Sequence, residues 1–263
     1  MNLDSTPRPA RGDGAALPGA AAAGVVGVLG GMGPLATVDF MRKMREATPA
    51  ASDQEHVPIV VSCIPQVPDR TAAFRGEGAS PLDAMVHSGQ RLLAASAGLI
   101  VMPCNTAHLW FDALRDALGL PMLHLVDAAI TDALEQAGAG ARVGLLATDA
   151  TLASGLYLNR RHDPAAGVTW LLPTAGEMLE WVMPGIAAVK AGRLDAGGEL
   201  LARAAQALHR RGAEAVVLGC TEIPLVLDAA RAGLPVIDAT AALARRAVAW
   251  SLGERDAAAR GAR

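Results

Sequence analysis

The sequence predicts an α/β protein built from two similar units, each a parallel sheet covered by helices. Three observations carry that prediction. Short apolar, β-rich runs alternate with segments whose apolar residues recur every three or four positions, the pattern of a parallel sheet wrapped by helices. Two segment pairs recur at a near-constant offset: Gly27 and Gly144 lie 117 positions apart, and Leu120-Pro121 and Leu234-Pro235 lie 114 apart. Each copy also places a cysteine just after an apolar run. Cys104 follows Leu99-Ile-Val-Met-Pro103 and Cys220 follows Ala215-Val-Val-Leu-Gly219, 116 positions apart.

Taken in order, residues 1–23 are rich in Ala, Gly and Pro and have no basic start followed by an apolar core, so they read as a disordered leader and not a secretion signal. Strands are expected at Val25–Leu29, Pro58–Ser62 and Leu99–Met102 in the first copy. In the second they are expected at Arg142–Leu146, Val168–Leu172, Ala215–Leu218 and Pro235–Ile237. Helical spacing marks Ala36–Ala47, Leu82–Ala95, Leu109–Leu118, Gly176–Ala191, Gly197–Arg211 and Ala241–Ser251. The repeat divides the chain into a first domain of 24–122 plus a returning segment 235–252, and a second of 123–234. Residues 253–263 read as a flexible tail. The cleft between the two sheets is where both strand ends, and so both thiols, should meet.

Composition narrows the function. Hydrophobic residues make up 52% of the 263, ample for a core, but charges, Gly and Pro break every apolar run before the roughly 18 residues a membrane span needs. A net charge of −3 and only 3% aromatics leave neither a basic footprint nor stacking platforms for nucleic acid. Three widely spaced cysteines form no disulfide framework and point to a reducing, cytoplasmic setting.

A helix N-terminus stabilises a thiolate through its N–H groups and dipole. Asn105 and Thr106 follow Cys104 as good caps, and Thr221 and Glu222 follow Cys220 with Pro224 in the first turn, so both thiols are expected to favour the thiolate. Inert burial, the common fate of a lone cysteine, fits two repeated settings poorly, as does a Cys104–Cys220 disulfide in a reducing compartment. Cys63 has no counterpart in the second copy and reads as structural. Cys104 and His108 share a helical face, yet no CxxC or HxxxH spacing supports a zinc site, and no metal is expected.

Gly30-Gly-Met-Gly33-Pro-Leu-Ala36-Thr37 satisfies a relaxed dinucleotide fingerprint. The acid that should end the next strand is missing, since that strand ends Val61-Ser62-Cys63. Backbone N–H groups gathered around a carboxylate are the favoured alternative. Lys43 and Lys190 are the only lysines among 23 basic Lys and Arg residues. Lys43 reads as part of a solvated helix face, and Lys190 as the end of a helix. Neither suits a Schiff-base lysine, so no cofactor is expected. Arg70, in Pro68-Asp-Arg-Thr71, reaches the sheet end that carries Cys104, where a guanidinium can clamp a carboxylate.

Together Gly30–Thr37, Pro68–Thr71, Pro103-Cys-Asn-Thr-Ala-His108 and Gly219-Cys-Thr-Glu-Ile-Pro224 resemble the aspartate/glutamate racemase family over about 25–250. The resemblance implies two Rossmann-like domains related by pseudo-two-fold symmetry and a cofactor-independent racemase, a homodimer acting on a small acidic amino acid. It implies Cys104 and Cys220 as the acid/base pair, with Met32, Asn105, Thr106, Thr221 and Glu222 around the substrate and Arg70 and Lys190 on its carboxylate. Two thiols favour racemisation over related decarboxylase, maleate-type isomerase or hydantoin racemase chemistry on the same scaffold, because a single thiol protonates only one face. A broader amino-acid range, a non-catalytic dicarboxylate sensor and a nucleotide-binding oxidoreductase remain rival readings.

Overall fold

The first strand, β1 (Val26–Gly30), is buried along its whole length in the computed structural model, which describes residues 24–160 and 167–253. The expected leader and the tail beyond Gly253 lie outside the described residues. Full burial is what a central parallel strand requires, and it explains the unbroken apolar run. Helix α1 (Pro34–Ala47) follows, then β2 (Ile59–Cys63), α2 (Arg70–Phe74), α3 (Leu82–Ala94), β3 (Leu99–Val101) and α4 (Phe111–Leu118). The sheet order is β2-β1-β3, all parallel, with Val26 opposite both Ile59 and Leu99.

Helix α5 (Leu125–Ala137) leads into the second copy. There β4 (Arg142–Ala147), α6 (Asp149–Ala153), β5 (Thr169–Leu171), α7 (Ala175–Glu177), α8 (Met183–Lys190) and α9 (Leu194–Arg210) are followed by β6 (Ala215–Gly219), α10 (Ala229–Ala232), β7 (Val236–Asp238) and α11 (Ala239–Ser251). The second sheet runs β5-β4-β6-β7, again all parallel. No helix among the described residues is long and apolar enough to cross a membrane.

The repeat is visible in local chemistry. Gly119 and Gly233 both end a helix in the left-handed region, with φ of 64° and 75°, where glycine avoids the clash a Cβ would bring. Each is followed by Leu-Pro and then by a capped helix: the His124 side chain accepts from the Val126 N–H, and that of Asp238 from the N–H groups of Thr240 and Ala241. The copies differ at this point. Met122 forms only an isolated bridge to Ile100, whereas Val236–Asp238 makes a full fourth strand.

Three corrections to the sequence reading follow. Segment 235–252 does not return to the first domain as a block. Strand β7 pairs with β6 in the second sheet, and α11 packs on α1 and α5 in a core that both sheets share. Helix α5 was not foreseen: its seven buried residues spread over more than half of its circumference and include Asp132, so it lacks a narrow apolar stripe. Lys43 is not solvated. It is 7% exposed, pairs with Asp39 at 2.5 Å and Asp238 at 2.6 Å, and donates to the Thr240 hydroxyl, fastening α1 to the start of α11.

The expected helix over 176–191 forms, but through a π turn at Met178–Val182 that widens the coil just before Pro184. Separate cores lie on the outer face of each sheet, under α3 and α4 in the first copy and under α8 and α9 in the second. That leaves the C-terminal ends of β1, β3, β4 and β6 free to build a site.

Candidate active site

Cys104 stands three residues beyond the end of β3, and Cys220 directly follows β6. Both are free thiols, each 6% exposed, and both line one narrow cleft between the copies. The same cleft gathers Met32, Arg70, Asn105, Thr106, Lys190, Thr221 and Glu222, the residues that the resemblance places around the substrate. Asp69, Thr71 and Thr148 complete its lining.

Met32 reaches the cleft from the glycine turn. Gly31 has φ of 93°, and a Cβ there would sit 2.4 Å from the Ile64 backbone, so only glycine fits. Its N–H, one of those expected to cradle a carboxylate, instead donates to the Thr37 hydroxyl at 2.9 Å. The carboxylate that does approach the turn is the protein's own: Glu222 Oε1 lies 3.3 Å from where a Gly33 Cβ would stand.

The helix N-terminus expected after each thiol is a short 3-10 turn, Thr106–Trp110 in one copy and Ile223–Leu225 in the other. At Cys220 the expected thiolate preference is reversed. Burial, followed by the charge of Glu222, pushes this thiol well above its ordinary range, against the pull of Lys190. The Cys220 thiol donates to Glu222 Oε2 at 3.1 Å, and the Thr221 hydroxyl donates to the same oxygen at 3.3 Å.

His108 does not face the Cys104 sulfur. Its Nδ1 bonds the Cys104 carbonyl at 2.7 Å and its Nε2 accepts the Leu125 N–H at 3.1 Å, which requires the neutral ring with the proton on Nδ1. Burial holds it in that form, lowering its pKa to about 4. Cys63, read from the sequence as structural, is exposed at the end of β2 and is not among the cleft-lining residues.

Two cations face the cleft. Asp69 caps α2 through the Ala72 N–H and so sets Arg70 at the first position of that helix. Arg70 donates from Nη1 to the carbonyls of Val67 and Pro68, at 3.2 and 3.0 Å. Lys190 ends α8. Burial works against its charge, but Glu222 and the two cysteines outweigh that and hold the ammonium above its ordinary value. Among the described residues neither cation forms a salt bridge, so both keep donors for an anion.

Sequence reasoning missed Thr148. Its hydroxyl shares a buried trio with Thr106 at 3.1 Å and Thr151 at 3.0 Å, joining the two copies beside the cleft. The signal was available: a Thr-Asp pair after β4, at the place of the first copy's glycine turn, is an N-cap signature.

Comparison with known proteins agrees with this geometry. A sequence profile described as Asp/Glu/Hydantoin racemase matches residues 29–247. The chain is 26% identical over 240 residues to the broad specificity amino-acid racemase RacX of Bacillus subtilis, covering 87% of this chain and 98% of the relative. It is 33% identical to a glutamate racemase of Herpetosiphon aurantiacus over 59% of this chain and 60% of that one. Among solved structures, the Picrophilus torridus aspartate racemase superposes with a TM-score of 0.76 and 33% identity, covering 88% of this chain and 94% of that one. The glutamate racemase of Francisella tularensis, in complex with D-glutamate, shares the fold at a TM-score of 0.62 and 16% identity, over 89% and 82% of the two chains.

Proposed function

This chain belongs to the Asp/Glu/hydantoin racemase family, and we propose that it interconverts the L- and D-forms of an acidic amino acid by two-cysteine acid/base catalysis. One observation carries the reading: repeat-related strand ends deliver two free thiols to a single cleft that also holds two cations, Arg70 and Lys190, without a salt-bridge partner among the described residues. Arg70 and Lys190 suit the carboxylates of an acidic substrate. Glu222 is the wrong sign for a carboxylate, so its role in the site is toward the substrate ammonium and the Cys220 thiol.

The raised Cys220 thiol supports a resting state with the shared proton on Cys220, which leaves Cys104 as the first base. In one direction the Cys104 thiolate takes the α-proton, the C–H electron pair stays on the substrate as a carbanion, and Cys220 donates its proton to the opposite face. Cys104 ends as thiol and Cys220 as thiolate, ready for the reverse reaction. Charge building on the substrate is met by Arg70 and Lys190. This chemistry uses the chain's own residues without a cofactor, in a reducing cytoplasmic setting. A homodimer is the expected assembly.

Chiral chromatography of L- and D-aspartate and L- and D-glutamate, without added cofactor, tests the reading. Each enantiomer should yield its antipode, with α-deuterium from D2O appearing mainly in that antipode. No conversion of either amino acid would refute it. A wider substrate range is the second reading. It is favoured by an adjoining open pocket that shares Arg70, Lys190 and Glu222 with the cleft and has Pro34, Leu35, Val189 and Leu225 in its walls. Turnover of methionine or leucine in the same assay would select it.

A further inference from the structure

Asn105 Nδ2 is a buried side-chain nitrogen with no hydrogen-bond partner among the described residues, on a residue 2% exposed that lines the cleft. The other end of the same amide is held, since Oδ1 accepts the Tyr157 hydroxyl at 2.5 Å. Tyr157 comes from the second copy, in the turn after α6, and is 1% exposed with its ring edge-on to Trp170. A buried donor without a partner is destabilising, and native proteins keep one mainly where something else satisfies it.

An amide has two orientations. In the observed one Tyr157 donates to the carbonyl and the NH2 is left for the cleft. Turned over, the NH2 would bond the tyrosine oxygen and a carbonyl oxygen would face an incoming carboxylate, which it repels. The tyrosine hydroxyl is therefore the group that decides what the cleft presents. Burial, followed by the charges of Cys220 and Asp238, keeps that hydroxyl protonated well beyond its ordinary range, so it remains a donor.

We propose that Tyr157 is a positioning residue for substrate binding, its hydroxyl fixing the Asn105 amide so that the NH2 donates to a substrate carboxylate. The proposal deepens the racemase reading and takes the carboxylate ligand from it. Tyr157→Phe keeps the ring and removes only the hydroxyl. The KM for the amino acid should rise about five- to tenfold while kcat changes less than twofold. Asn105→Ala should raise KM similarly, and the double variant should be no worse than Asn105→Ala alone, because the hydroxyl acts only through the amide.

The dissociation constant of succinate, read by calorimetry, should follow the same pattern without any turnover. A wild-type chain that binds succinate but racemises nothing would sink the racemase reading alone. Unchanged succinate affinity and KM in Tyr157→Phe would overturn the positioning role. So would a Tyr157→Phe effect that adds in full to Asn105→Ala, or a wild-type chain with no succinate binding. Should Tyr157→Phe fail to fold, Asn105→Asp keeps an acceptor for the hydroxyl but replaces the NH2 by charge. It should lose succinate binding while keeping native circular dichroism, and wild-type affinity there would overturn the proposal.

Discussion

The two copies agree in backbone and disagree in charge. Each brings a cysteine past an inner strand, ends a helix at a left-handed glycine, and follows with Leu-Pro and a capped helix. Around the sulfurs the match stops. The first copy surrounds Cys104 with Asn105, Thr106 and His108; at the corresponding places the second has Thr221, Glu222 and Pro224. A symmetric scaffold thus places two like groups, and asymmetric surroundings raise the thiol of one of them, Cys220, through burial and then Glu222. That difference suits a reaction in which one thiol must be charged while its twin keeps its proton.

The harshest test removes one sulfur at a time. If the halves are equal partners in proton transfer, Cys104→Ala and Cys220→Ala should each lower kcat/KM by about 10³-fold or more, in both directions of racemisation. Circular dichroism should stay native, since each change removes one small buried atom. Near-normal turnover in either variant would break the pairing of the halves.

His108 offers the next largest contrast, because the second copy has Pro224 at its place. The neutral ring bridges the Cys104 carbonyl and the start of α5. Its folded pKa, about 4, lies below the ordinary 6.5, so the unfolded chain binds the proton more readily. The stabilisation is therefore complete above about pH 6.5 and is lost as pH falls toward 4. At full protonation the loss is about 3 kcal/mol. Burial lowers His124 as well, which deepens the same decline. Thermal melting should show a falling midpoint across this window, flattened in His108→Gln; an unchanged slope in that variant would remove His108 as the cause.

Glu222 sharpens the comparison at the thiols. Glu222→Gln removes the negative charge beside Cys220 but keeps an acceptor at the same place. The Cys220 thiol should then ionise more easily, so the alkaline limb of the racemisation profile should move to lower pH. A profile that stays put would show that burial alone poises Cys220.

The symmetry was legible in the sequence and most of the charge asymmetry was not. Apolar runs, the Leu-Pro pair and the two cysteines carry backbone information, which a one-dimensional pattern retains. They placed the strand cores within a residue or two and assembled the cleft. Lys43 shows what was lost: its position on α1 is plain in the sequence, but Asp238 lies 195 positions away and nothing local announces the pair. Tyr157 fails for the same reason, being a lone tyrosine in a turn whose partner Asn105 sits in the other copy. The thiolate expectation at Cys220 failed differently. It took helix polarity as the dominant effect, whereas burial of the thiol, followed by the neighbouring Glu222 carboxylate, reverses the sign beside a mere 3-10 turn.

The smallest effect belongs to the surface contact that spans the copies. Arg75, at the end of α2, pairs with Asp149, at the start of α6, and both are partly exposed. Exposed pairs of this kind contribute less than about 1 kcal/mol, and salt screens them. Arg75→Ala should therefore leave the melting midpoint nearly unchanged. The same helix α2 presents Arg70 to the cleft, so freeing its far end should let that guanidinium wander. The expected signature is a KM raised by less than about threefold, with the gap between variant and wild type closing at 1 M salt, where the wild-type pair is screened too. A gap that survives high salt would mean that packing between α2 and α6, and not the ion pair, holds Arg70 in place against the second copy.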